Sequence, residues 1–165
     1  MRILGIDPGL GITGYGLIYL SDGNTNLIEA GVIRSNAKDP LEKRLAEINK
    51  KLVALINDVT PNVLVLEELY SHYKHPKTSI LMGHARGVIC LAAETQGVKL
   101  VSYPSTKVKK AVTGRGHASK LQIQRTVVNV LNLSTVPEPV DVTDALALAL
   151  THANVYMHES KVGIL

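Results

Sequence analysis

Arg2-Ile3-Leu4-Gly5-Ile6-Asp7-Pro8-Gly9 is the stretch on which the fold turns. A short apolar run stops at a carboxylate, and Pro8-Gly9 closes it. The run reads as a buried strand ending in a tight turn. Working outward, Thr13 to Leu20 and Asn26 to Arg34 are rich in β-branched, Tyr and Leu residues, with Ser21-Asp-Gly-Asn24 as turn material between them. They predict a second and third strand in hairpin relation. From Pro40 the period changes. Leu41, Leu45, Ile48, Leu52, Leu55 and Ile56 fall at helical spacing, Asp39-Pro40 offers an N-cap and first-turn pair, and Pro61 ends the helix. Val63-Leu-Val-Leu66 is a continuous apolar strand that stops at Glu67-Glu68.

Ser79 to Gln96 reads as a second helix, apolar on more than one side, with Gly97 as its C-cap. Val98 to Val101 supplies a fifth strand, and helices over Ser105 to Val112 and Ser119 to Leu131 follow. The last element, Asp141 to Ala153, carries two patterns at once. Ala145-Leu-Ala-Leu-Ala-Leu150 alternates with period two, as a strand would. Ala and Leu are nonetheless the strongest helix formers, and Pro137-Glu-Pro139 suits a helix start, so we assign helix. The expected fold is α/β, a five-stranded mixed sheet flanked by helices in three layers, within one domain spanning 1–165.

At 165 residues the chain can bury a core, and 45% apolar with 19% charged residues is the balance of a globular protein. Cys90 stands alone in the apolar run Val88-Ile89-Cys90-Leu91, so no intrachain disulfide can form. That fits a reducing compartment and a small core residue. The opening apolar run is cut short by Asp7, which argues against a signal peptide, and nothing approaches the ~20 apolar residues of a membrane span. A cytoplasmic location is expected. The net charge of +4 hides an asymmetry. Between Thr95 and Pro137 there is no Asp or Glu, but there are seven cations: Lys99, Lys107, Lys109, Lys110, Arg115, Lys120 and Arg125. The remainder of the chain is left at −3. A one-sign field of this kind suits a polyanion, above all nucleic acid, although a solvated basic face would look the same.

Ligand sites of α/β sheets gather at the carboxyl ends of strands. Asp7 and Glu67 occupy two such ends, and each would be half in the core, where an ionised carboxylate is costly unless it meets a cation. Asp141 and Asp144, three apart, project from one face of a helix. No Cys/His pair has zinc-ligand spacing, so the donors are oxygens and the matching ions are Mg²⁺ or Mn²⁺. Four carboxylates from three elements form the ligand set of a two-metal phosphodiesterase. Each also has a plainer reading: Asp7-Pro8-Gly9 as a turn, Asp141 as an N-cap, Glu67-Glu68 as an exposed strand end. Strand alternation lets only one of Glu67 and Glu68 join the cluster.

Ile3-Leu-Gly-Ile-Asp-Pro-Gly9 with Thr13-Gly-Tyr-Gly16 resembles the opening of bacterial Holliday-junction resolvases of the RuvC type. So do Leu66-Glu67 followed by Tyr70, Gly83-His-Ala-Arg-Gly87, Lys107-Val-Lys109, Gly114-Arg-Gly-His-Ala-Ser-Lys120, and the segment from Asp141 to His152. The likeness runs in order through nearly the whole chain. It implies a ribonuclease-H-like fold and a homodimer that binds four-way DNA junctions and nicks two strands of like polarity symmetrically, in recombination and repair. The family's four catalytic and metal-binding carboxylates fall on Asp7, Glu67, Asp141 and Asp144, with two Mg²⁺ (or Mn²⁺) per site. Its DNA-contacting lysines fall on Lys109 and Lys120, and its stacking aromatic on Tyr70, where some members have Phe. Lys74, Lys77, Arg86, Lys107, Lys110 and Arg115 complete the expected DNA contacts. Glu68 stands where another member has Gln. The helix over Ser79 to Gln96 is the expected dimer surface, with a buried core helix as the alternative, and a RuvA–RuvB branch-migration complex is the implied partner.

Three other readings compete. Gly5-Ile-Asp-Pro-Gly9 followed by Thr13 also resembles the phosphate hairpin of actin- and sugar-kinase-like ATPases, which need a second phosphate loop for which the chain has no room. A catalytically silent junction-binding module would use the basic face and gain nothing from four carboxylates. A related nuclease would act on RNA or RNA–DNA hybrids.

Overall fold

The computed structural model describes residues 1–68 and 76–163. Ten elements follow in the order β1 Arg2–Asp7, β2 Ile12–Ser21, β3 Asn24–Arg34, α1 Leu41–Val59, β4 Val63–Glu67, α2 Pro76–Thr95, β5 Lys99–Tyr103, α3 Ser105–Thr113, α4 Lys120–Val130 and α5 Val140–Lys161. The five strands form one mixed sheet in the order β3-β2-β1-β4-β5. β1 lies at its centre, antiparallel to β2 and parallel to β4. The β2–β3 hairpin closes through Asp22-Gly23, both at positive φ (51° and 78°). A two-residue turn with left-handed backbone at both centres matches the twist of the flanking strands, and Asp-Gly is suited to it.

Alternation along the strands divides the core in two. Leu4, Ile6, Leu64 and Leu66 point to one face, where Ile48, Leu52 and Ile56 of α1 and Ile89, Ala92 and Ala93 of α2 cover them. Ile3, Val63 and Val65 point to the other, under α3, α4 and α5. Helices thus lie on both faces of the sheet, as expected. Cys90 is only partly buried and packs against the α1–α2 core.

The element with the ambiguous pattern is a helix, and its Ala/Leu alternation has a physical reason. Ala145 to Leu150 are all at most 2% exposed, because α5 is enclosed by the sheet on one side and by α3 and α4 on others. A helix buried all round needs no polar face. Its small residues let it approach the sheet closely, and the sheet meets it with glycines. A methyl group at Gly5 would run into the carbonyl of Ala145, one at Gly14 into the backbone of Asp141, and one at Gly16 into Leu146. The helix lies directly on the backbone of β1 and β2.

Several boundaries differ from the sequence reading. α1 has Pro40 itself as N-cap with no side-chain cap, so Asp39 stands outside the helix; it ends at Thr60 (φ 42°). α2 starts at Pro76, which needs no N–H donor in a first turn, rather than at Ser79. β5 runs on to Tyr103, and α5 continues to Lys161. Ser119 caps α4 in a capping box with Gln122. No helix among the described residues is long and apolar enough to cross a membrane.

Because glycine contacts set the depth at which α5 docks, Gly5→Ala is expected to cost about 2–3 kcal/mol, the upper range for overpacking a filled core. Urea unfolding would measure this, and an unchanged midpoint would show that the helix can lift off without penalty.

Candidate active site

Asp7 and Glu67 close neighbouring parallel strands, one residue beyond the paired Ile6 and Leu66. Ile3 and Gly5 face α5, so Asp7 on the same alternation does too, and Val63 and Val65 set Glu67 likewise. Gly14 is the ladder partner of Asp7, and the backbone of Asp141 rests on Gly14. Asp144 follows one turn along α5, next to the Ala145 carbonyl that sits over Gly5. Docking of α5 therefore carries Asp141 and Asp144 to the end of β1. The turn after Asp7 is fixed by Thr13, fully buried, whose hydroxyl donates to the Gly9 carbonyl at 2.7 Å.

The electrostatics report the same convergence. Asp7 is raised from 3.8 to about 7, first by burial and then by the negative charges of Asp144, Asp141 and Glu67, with Lys120 opposing. Burial also pushes Glu67 up. A hydrogen bond from Ser105 opposes that rise, the charge of Asp144 adds to it, and Lys109 and Lys120 lower it. Asp7 and Glu67 line a cleft of about 670 Å³ together with Glu68, Ser105 and Lys109. Glu68 is exposed beyond the strand end, and its amide donates to the Tyr103 carbonyl at 2.9 Å.

The four carboxylates are grouped but not drawn around one point. Among the described residues no three His, Cys, Asp or Glu side chains stand ready to share a metal ion. Lys120 Nζ lies 3.4 Å from Asp144 Oδ2, with side-chain exposures of 75% and 26%. An ammonium that exposed does not fill the cleft, whose lining excludes it; it makes a surface ion pair of little intrinsic worth. The donor set nonetheless fits hard cations. It consists of carboxylate oxygens, burial and then mutual repulsion hold a proton on Asp7 near neutral pH, and a divalent ion would relieve both.

The predicted DNA contacts are distributed unevenly. Lys109 lines the cleft, and Lys120 stands outside its lining, paired with Asp144. Arg115 is exposed in the turn after α3, and Lys77 is exposed in the first turn of α2. Lys107 holds its ammonium 4.8 Å above the Tyr103 ring, and with Lys110 it lines a separate cleft of about 400 Å³ beside Asn154 and His158. Arg86 turns inward: Nη2 donates to Ser102 Oγ at 3.0 Å, and Nη1 is buried with no hydrogen-bond partner among the described residues. Tyr70 and Lys74, with His72 and His75, lie outside the described residues. Sequence reasoning missed the Tyr103 hydroxyl paired with His152 Nδ1 at 2.8 Å.

A family model described as crossover junction endodeoxyribonuclease RuvC matches residues 3–152. A protein of that name from Rhodopirellula baltica is 52% identical over 148 residues, covering 90% of this chain and 83% of its own. The structure of Thermus thermophilus RuvC in complex with Holliday junction substrate superposes with a TM-score of 0.89 at 28% identity, covering 97% of each chain. The yeast mitochondrial Holliday junction resolvase Ydc2 shares the fold alone, with a TM-score of 0.68 at 13% identity over 99% of this chain and 84% of its own.

The proton on Asp7 gives a pH test. The folded protein keeps it up to about 7, whereas the unfolded chain loses it near 3.8, so stability falls as pH rises through that interval. Metal-free protein should therefore melt at a higher temperature at pH 6 than at pH 8. Asp7→Asn should raise the pH 8 midpoint and flatten the difference; a variant with the wild-type slope would place the proton elsewhere.

Proposed function

The chain belongs to the RuvC family of crossover junction endodeoxyribonucleases, and on that premise we propose that Asp7, Glu67, Asp141 and Asp144 are its catalytic, metal-binding centre. It is a nuclease of four-way DNA junctions, serving recombination and repair, in one ribonuclease-H-like domain spanning 1–165. The observation that carries the assignment is Asp7, raised to about 7 by burial and by three other carboxylates at the ends of β1 and β4 and the start of α5.

Two Mg²⁺ ions, with Mn²⁺ as alternative, would activate the attacking water and stabilise the departing oxygen in line. The chain's own residues prepare that chemistry. Burial and repulsion keep the carboxylates poorly satisfied by themselves, so the cluster favours cations over protons as pH rises. Lys109, in the cleft wall beside Glu67, and Lys120, out on the surface, present positive charge to the phosphate backbone. Lys120 holds Asp144 by one 3.4 Å contact, which a DNA phosphate can replace, leaving Asp144 free as substrate arrives. Arg115 and Lys77 extend the basic rim, and Lys107 and Lys110 lie farther from the carboxylates. Tyr70, by resemblance, stacks on a junction base, with Lys74 nearby. Arg86 serves the interior rather than DNA.

Paired cuts need two such centres, hence a homodimer. α2 supplies a suitable surface. Ile80 (61% exposed) and Leu91 (59% exposed) lie with His84 and Gly87 at i, i+4, i+7 and i+11, one apolar stripe opposite the buried Ala85, Ile89 and Ala92. Location in the cytoplasm and cooperation with RuvA–RuvB follow from the resemblance.

Incubation with Mg²⁺ and a four-way junction, a linear duplex or an RNA–DNA hybrid tests the assignment. Wild type should cut the junction selectively, leaving 5′-phosphate and 3′-hydroxyl ends. Asp7→Asn should abolish cleavage while retaining junction binding; unaltered cleavage by that variant would refute the nuclease centre. Leu91→Glu should shift the protein to monomer in sedimentation and uncouple the paired nicks. A dimer that persists would remove α2 from the interface.

A further inference from the structure

Glycines seat α5 against only part of the sheet. The helix rests chiefly on β1 and β2, less on β4, and scarcely reaches β5. Glu67 ends β4, beyond the strands on which the helix is seated most closely. A side-chain tie spans that half of the sheet. The Tyr103 hydroxyl and His152 Nδ1 stand 2.8 Å apart, a hydrogen bond from the end of β5 to the middle of α5. We infer that Tyr103 and His152 are positioning residues for the nuclease centre: their bond sets how far the acidic face of α5 stands from Glu67 and how that helix is turned about its axis. The inference rests on the catalytic assignment above and adds to it two residues outside the four carboxylates.

Each partner is placed for this role. Tyr103 is the register partner of Glu67, and its carbonyl accepts from the Glu68 amide at 2.9 Å. The backbone that carries the tyrosine is thus bonded to the backbone that carries the carboxylate. Tyr103 is only 6% exposed, packed into the core beneath the helices, and the Lys107 ammonium lies 4.8 Å from its ring centroid. Held in this way, the phenol keeps its oxygen at a fixed point. His152 stands eleven residues beyond Asp141 on α5, about three full turns, so the two project from nearly the same face. A hydrogen bond at His152 resists rotation of the helix, and any such rotation would carry Asp141 with it.

Packing alone would not supply the same constraint. β5 is an edge strand with β4 as its one neighbour in the sheet, and the end of such a strand frays unless something holds it. Among the described residues the Tyr103–His152 pair is the one hydrogen bond between β5 and α5. Apolar contacts tolerate sliding, whereas a hydrogen bond weakens steeply when its length or angle departs from the optimum. A metal site needs its ligands held to within about 0.5 Å, which favours a directed bond over a smooth surface. The phenol donates to Nδ1 or accepts from it according to the ring tautomer, and the tie is the same either way.

The test compares full-length wild type, Tyr103→Phe, His152→Leu, the double variant, and His152→Asn, whose amide can stand where Nδ1 does. Tyr103→Phe keeps the ring beneath Lys107 and removes only the hydroxyl. All five are titrated calorimetrically with Mn²⁺ in the absence of DNA, well below their melting temperatures. Affinity should be about tenfold weaker in Tyr103→Phe and in His152→Leu, the low end of what loss of an outer hydrogen bond does to a metal site. The double variant should lose no more than either single one, because both break one bond. His152→Asn should recover most of the affinity. Junction affinity in EDTA should be equal in all five, so that KM for the junction holds while kcat at fixed Mn²⁺ falls. Wild-type Mn²⁺ affinity in Tyr103→Phe overturns the inference and leaves the four-carboxylate assignment standing. Additive losses in the double variant overturn it too, as does a loss in His152→Asn equal to that in His152→Leu, because the effect would then be one of packing. A wild-type protein that takes up no Mn²⁺ would sink both the assignment and the role of the pair.

Discussion

The close seating of α5 on the backbone of β1 and β2 is the constraint from which the remainder follows. Gly5, Gly14 and Gly16 lack the atoms that would hold the helix off, and the small residues of α5 answer them. Two packed layers ordinarily stand about 10 Å apart because side chains fill the gap. Here backbone meets backbone beside the ends of the strands where the carboxylates gather. Asp141 lies on Gly14, Gly14 faces Asp7 across the ladder, and Asp7 neighbours Glu67 along the parallel pair. Side chains as short as aspartate can interact from three separate elements only if their backbones are this near.

That proximity has an electrostatic consequence. Four carboxylates cannot all remain ionised in a half-buried cluster, and the strain falls on Asp7, the member that feels the other three. Lysines could neutralise such a cluster, but a lysine inside it would occupy the place where phosphate and cation must meet. The chain instead sets Lys109 in the cleft wall and Lys120 out on the surface, both near enough to oppose the rise on Glu67. The folded protein is left short of positive charge at its centre and rich in it around the edge. A negatively charged backbone accompanied by divalent cations fits both.

Much of this was legible in the residues. An apolar run stopped by a carboxylate marks a strand end at a site, and it did so twice, at Asp7 and Glu67. The spacing of Asp141 and Asp144 gave their common helical face once α5 was taken as helix against its period-two pattern. Other features depended on tertiary contacts that a linear pattern does not carry. Gly5 and Gly16 entered the sequence reading only as members of a motif; that they face a helix carbonyl and a leucine is information about packing. Arg86 resembled a DNA contact by its neighbours in sequence, yet a half-buried position in α2 gives it Ser102 as partner. Lys107 lies in the acid-free stretch but rests on Tyr103, so a charge count assigns it to the polyanion face more readily than its geometry does.

The two faces of the sheet divide the labour, and strand alternation enforces the division. Along β1, Ile3, Gly5 and Asp7 face the helix that brings the acidic pair, while Leu4 and Ile6 face α1 and α2. The carboxylate cluster and the exposed apolar stripe of α2 therefore lie on opposite sides of the same five strands, and a change in one need not disturb packing in the other. They are not independent, however. Arg86 reaches from the α2 face to Ser102, and the next residue, Tyr103, reaches from β5 to α5. Adjacent residues on an edge strand thus connect the helix carrying the exposed apolar stripe to the helix carrying two of the carboxylates. For an enzyme that must make two cuts in one assembly, these two hydrogen bonds and the peptide bond between them join the surface that would pair two copies to the helix that carries two of the proposed metal ligands.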